Sequence, residues 1–141
     1  MKKIIALLLC CTCIALSGCS VEVGDMQTEE KITSFDGVWR QASAGEDEYL
    51  EAVIEKGVIT ITMIYDGGNK RSVYWHGTAP ELTEPVLEYT WISNGDTAKT
   101  RYEVFGSPNE TKRFIYMRDY LWFPWSMFGY SNILQLERVE E

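Results

Sequence analysis

The stretch VITITMIY, Val58 to Tyr65, decides the fold. Its period is two. Ile59, Ile61, Met63 and Tyr65 fall on one face and Val58, Thr60, Thr62 and Ile64 on the other, which is the pattern of an extended chain with one strongly apolar side. RSVYWHGTA (71–79) repeats the pattern, setting Val73, Trp75, Gly77 and Ala79 opposite Ser72, Tyr74, His76 and Thr78. PVLEYTWIS (85–93) sets Leu87, Tyr89 and Trp91 opposite Glu88 and Thr90.

Turn residues punctuate these runs: Lys56-Gly57, Asp66-Gly67-Gly68-Asn69, Asn94-Gly95-Asp96 and Gly106-Ser107-Pro108-Asn109. Asn94-Gly95 suits a type I′ hairpin, because both residues tolerate positive φ. Strands are therefore expected at 35–42, 48–55, 58–65, 70–78, 85–93, 97–105, 111–118, 120–127 and 132–139. Eight or nine short strands with short links do not stay flat with open edges. The expectation is an all-β fold, a small antiparallel up-and-down barrel. A two-sheet sandwich would need a long crossover connection, and no link supplies one.

Ahead of this domain, Met1, Lys2 and Lys3 precede an apolar run from Ile4 to Leu16 and then Ser17-Gly18-Cys19. A charged head, a short apolar middle and a small-residue exit make a secretory signal. LSGC (16–19) resembles the lipobox of bacterial lipoproteins, which implies a lipid on the Cys19 thiol and cleavage before it. The expected organisation is a lipoprotein signal peptide over 1–18, a lipidated Cys19 with a flexible tether over 19–34, and a β-barrel domain over 35–141. Cys10, Cys11 and Cys13 lie in the leader, so the exported chain has no disulfide framework.

The whole chain has 13 basic and 21 acidic residues, a net charge of −8, and loss of Lys2 and Lys3 leaves 11 against 21. That balance argues against nucleic acid and against adhesion to anionic lipid. Membrane attachment is expected through acyl chains on Cys19 alone, on the extracytoplasmic face.

Gly37-Val38-Trp39 open the first strand, and Arg138 lies in the last, LQLERVEE (134–141). This pair is similar to the G-x-W signature and last-strand arginine of the lipocalin and calycin barrels. The resemblance implies a lipocalin-like barrel in which Gly37 and Trp39 plug the closed end and Arg138 covers the indole, with a cation–π attraction of about 0.5–2 kcal/mol. From GVWRQ (37–41) through VYWHGT (73–78) and EYTWIS (88–93) to the end, the chain also resembles small lipoproteins of Gram-positive bacteria and of their mobile elements or phages. That likeness implies an alternative role as an interaction protein, for superinfection exclusion or for inhibiting a cell-envelope enzyme.

Residues for catalysis are few. His76 is the only histidine, so any histidine-based triad must use it, and its alternation puts it opposite Trp75 as an exposed or hydrogen-bonded structural residue. Glu46, Asp47, Glu48 and Glu51 form the densest acidic cluster, without the spacing of an EF-hand loop. DGGN (66–69) lacks the lysine and helix of a phosphate loop. The expectation is a non-enzymatic protein without cofactor or metal.

What the chain has in excess is aromatic surface. Its 5 Trp, 8 Tyr and 5 Phe all follow the tether. DYLWFPWSMFGY (119–130) is the densest run: alternation assigns Leu121, Phe123, Trp125 and Met127 to the core face and Tyr120, Trp122, Pro124 and Ser126 to the other. Pro124 cannot donate to a ladder and implies a bend or an unpaired edge. Core packing, a binding lip and membrane contact all remain readings of this run. The candidate contacts are Trp75, Tyr89, Trp91, Tyr120 and Trp122, in a binding module for an apolar small molecule or a protein partner in the cell envelope. A lumen filled by Trp39, Trp75, Trp91, Trp125, Tyr65, Tyr89 and Met63 favours the protein.

Overall fold

The computed structural model describes residues 29–140; the leader, Cys19 and most of the expected tether lie outside them. Eight strands are present: β1 (Gly37–Gln41), β2 (Tyr49–Glu55), β3 (Val58–Tyr65), β4 (Lys70–Thr78), β5 (Glu88–Asn94), β6 (Thr111–Met117), β7 (Tyr120–Met127) and β8 (Tyr130–Arg138). All pair antiparallel in one curled sheet ordered β4-β3-β2-β1-β8-β7-β6-β5, an all-β half-barrel compatible with a lipocalin-like fold.

Three of the turns are two-residue hairpins with positive φ at both positions: Lys56-Gly57, Arg118-Asp119 and Phe128-Gly129. This is the type I′ signature, whose twist matches that of the strands it joins. Asn94 and Gly95 do not have positive φ, so the hairpin expected there is absent. Gly95 is needed for space instead, since a Cβ on it would stand 2.6 Å from Cη2 of Trp75.

The expected strand 97–105 is also absent. Asp96 accepts from the Ala98 backbone N–H and caps a single helical turn, α1 (Thr97–Thr100). The chain then runs along the edge of β4. Ser107 N–H donates to Tyr74 O, and Glu103 accepts from both Val73 N–H and the Ser72 hydroxyl. Asp96 N–H donates to His76 O, and Gly77 bridges Gly95. The segment therefore covers the seam between β4 and β5 with loop backbone and side chains rather than a ninth strand.

Antiparallel registers define two ends. At the Trp39 end lie the turns Lys56-Gly57 and Arg118-Asp119, and Ile32 exchanges both backbone hydrogen bonds with Val86. The chain is thus tied, three residues before Phe35, to the segment that leads into β5. At the Phe128 end lie the loop 42–48, the turn 66–69 and the hairpin Phe128-Gly129.

A β-bulge in β4 sets the interior. Ile61 pairs with Trp75 but Thr62 pairs with Val73, so Tyr74 is the extra residue. The simple alternation set Tyr74 opposite Trp75, whereas the bulge buries both at 1% exposure. Around them pack Phe35, Trp39, Trp91, Phe114 and Phe123, with Tyr89, Trp125 and Met63 partly buried against that core. Trp91 stacks on Phe114 at 5.0 Å and 15°. Large side chains fill the curl of the sheet.

Candidate functional site

Three regions carry chemistry or exposed surface. At the Trp39 end, Trp39 is 1% exposed and donates its indole N–H to Phe35 O at 2.9 Å. Arg138, its register partner on β8, places its guanidinium carbon 4.8 Å from the Trp39 ring centroid and donates to Ser34 O. Gly37 precedes them with φ +138 and open space where a Cβ would stand. Tyr116 donates to Asp119 at 3.0 Å, and burial, then that carboxylate, push its phenol up to about 12. A solvent-open groove of about 580 Å³ lies here, lined by Ile32, Trp39, Arg118, Tyr120 and Arg138 among others.

The second region is a polar seam around Lys112, which is 2% exposed. TKRFIYM (111–117) alternates Lys112, Phe114 and Tyr116 on the inward face, with Lys112 opposite Ser93 of β5. Its ammonium donates to Tyr74 Oη at 3.1 Å and Pro124 O at 3.0 Å. It also lies 4.9 Å and 5.1 Å from the rings of Tyr74 and Trp75. No ion pair among the described residues involves it. Desolvation lowers its pKa from 10.5 to about 8 and raises that of Tyr74.

Proline explains why the lysine is there. Pairing of β6 with β7 stops at Ile115 and Trp122, so from Phe123 onward β7 has no ladder on that side. Pro124 has no N–H to offer, and its carbonyl takes the Lys112 ammonium. Ser126 N–H goes to Tyr74 Oη at 3.3 Å. Two side chains thus replace the missing strand partner.

The third region is the Phe128 end, where apolar side chains stand in solvent. Phe128 is 77% exposed, Tyr130 75%, Val104 69% and Ile133 66%. Phe105 links them inward, 6.1 Å from Phe128 and 5.0 Å from Tyr65. An open groove of about 390 Å³ runs between the 104–108 segment and the β7–β8 hairpin.

No family model, curated protein or solved structure matches the chain. Function is therefore read from geometry.

The aromatic residues expected as contacts are divided between places. Trp75 and Trp91 are buried at 1% and 9%. Trp75 donates to Ser93 Oγ at 3.0 Å, and Tyr89 is half-buried against Phe35 and Trp91. Tyr120 and Trp122 are half-buried on the outer face, edge to face at 6.2 Å. His76 shares a hydrogen bond with Thr60 Oγ1 at 2.9 Å through Nδ1. Glu51 pairs with Arg40 at 3.0 Å, while Glu46, Asp47 and Glu48 are exposed.

Sequence reasoning missed Lys112, Val104 and Ile133, and named Phe128 and Tyr130 only within the 119–130 run, outside the candidate contacts. For Lys112 a signal was present: the same alternation that buries Phe114 buries the residue two before it.

Proposed function

We propose that this chain is a lipid-anchored, extracytoplasmic, non-enzymatic binding module that engages a protein partner through the Phe128 end. The observation that carries the reading is the contrast between a curl filled with large side chains and an exposed apolar tip. The buried large side chains leave a small ligand only the solvent-open grooves outside the core, whereas Phe128, Tyr130, Val104 and Ile133 stay exposed at a cost in solvation.

Phe128 adds to the case through its backbone. It holds φ +51 at an exposed turn position, a conformation that costs a bulky residue about 1 kcal/mol or more. A strained, solvent-facing phenylalanine is poor for stability and suited to recognition.

Polarity of the anchor supports a protein over the membrane. With lipid on Cys19 the tether joins the described chain at Glu29, on the Trp39 end. β7 runs its eight residues away from that end, so the tip stands about 25 Å further along the strands. The arginine over tryptophan at the Trp39 end favours a place among the lipocalin-like barrels. The narrower role in superinfection exclusion or envelope-enzyme inhibition rests on resemblance, and the identity of the partner decides it.

The test is a photo-crosslinking amino acid placed at Tyr130 or at Val58, which lies at the Trp39 end, in the lipidated full chain in its own host. The reading predicts a discrete protein adduct from position 130 and none from 58. Adducts to lipid, or none at either position, would count against it.

A further inference from the structure

The hairpin of β7 and β8 outruns its neighbours on both sides. β6 leaves β7 after Trp122, and β1 leaves β8 after the Gln41–Leu136 pair, with one last bond from Ala42 N–H to Gln135 O. Residues 123–127 and 130–134 form a two-stranded ribbon beyond the sheet.

Its outward backbone groups follow from the register. Met127 and Tyr130 flank a two-residue turn and form a hydrogen-bonded pair, so Ser126–Ser131 and Pro124–Ile133 direct their N–H and C=O groups away from the ribbon. The Ala42–Gln135 bond fits the same alternation. On the β7 side these groups are satisfied by Tyr74 and Lys112. On the β8 side, Ile133 N–H donates to Asn132 Oδ1 at 2.8 Å. Ser131 N–H, Ser131 C=O and Ile133 C=O have no protein partner among the described residues. One edge of the ribbon is closed by side chains and the other is open.

We infer that the open edge of β8, Tyr130 to Leu134, receives an extended basic segment of the partner protein as an added strand. This rests on the protein-binding reading and specifies its mode. Main-chain bonds at Ser131 and Ile133 supply attachment, and alternate side chains of the incoming strand meet Tyr130 on one face and Ile133 on the other. Charge selects the occupant. The loop that leaves this edge at Ala42 carries exposed Glu46, Asp47 and Glu48, on a chain of net charge −8. Lysine or arginine alternating with apolar residues complements that surface, while a second copy brings the same negative charge.

The probe is a peptide of about eight residues alternating valine and lysine, titrated into the full chain in mild detergent and followed by amide NMR. The expected result is perturbation of Ser131–Leu134 amides and slowed exchange of the Ser131 N–H. N-methylation of alternate peptide residues removes ladder donors and should weaken binding about ten-fold or more. Ser131→Pro should do the same without unfolding, because Pro124 already occupies the equivalent outward position on β7. Phe128→Ser keeps that edge and loses apolar contact, so it weakens the peptide with the edge intact.

No perturbation at the edge, equal binding of the N-methylated or a valine–glutamate peptide, or indifference to Ser131→Pro overturns strand addition. Concentration-dependent pairing of the chain through the same amides does so too, by giving the edge to a second copy. If the peptide fails while a protein adduct at Tyr130 persists, strand addition alone falls. If that adduct is absent, the protein-binding reading falls with it.

Discussion

Replacing Lys112 with methionine should remove a pH dependence that the wild-type protein shows. Native Lys112 loses its proton near pH 8, while the unfolded chain holds it until about 10.5. Between those values the unfolded state binds more protons, so stability rises with pH there, and below pH 8 the full cost of the buried charge is present. The gap corresponds to a ceiling of about 3 kcal/mol. The bonds to Tyr74 and Pro124 reduce it, and only part of the interval is crossed, leaving about 1–2 kcal/mol gained between pH 7 and 9.5. Tyr74 and Tyr116, both raised, work in the opposite direction only above about pH 10, so the window stays clear of them. Urea unfolding followed by tryptophan fluorescence, repeated across that range, should give a rising curve for wild type and a flat one for Lys112→Met. Parallel curves would show that Lys112 does not carry the pH dependence, whatever the absolute stability of the variant.

Phe128→Asn should stabilise the fold by about 0.5–1 kcal/mol, because asparagine tolerates the left-handed backbone ahead of Gly129, and should weaken partner capture; chemical unfolding and the Tyr130 adduct yield report the two effects. Gly95→Ala forces a methyl onto the Trp75 ring and should cost about 1–3 kcal/mol, read as a lower urea midpoint with altered near-ultraviolet dichroism. Arg138→Met removes the cation from Trp39 while keeping an apolar stem, and a loss of about 1 kcal/mol at neutral pH is expected, measured by the same unfolding curves.

Strong period-two patterns made most of the sheet legible in the sequence: strands over 58–65, 70–78 and 120–127 have the predicted limits. The segment 97–105 misled because Tyr102 and Val104 alternate with charged residues as a half-buried strand would, yet both are exposed. There Asp96 nucleates a helical turn and the following backbone is spent on the edge of β4. Alternation alone also does not reveal the bulge at Tyr74, since it fixes faces only while the register is unbroken. Arg118-Asp119 has Asp119 as its one turn-former and no glycine, so the positive φ at Arg118 is imposed by the strands it joins. The Phe128 tip lies within the 119–130 aromatic run, and only the places where β6 and β1 leave the hairpin separate it from core.

Native mass spectrometry of the protein purified gently from its own host, before and after organic extraction, separates a filled half-barrel that meets a protein from one that carries a small ligand. A filled curl gives the same mass both times. Loss of a bound species of roughly a few hundred daltons on extraction would mean a ligand-carrying cavity and would contradict it.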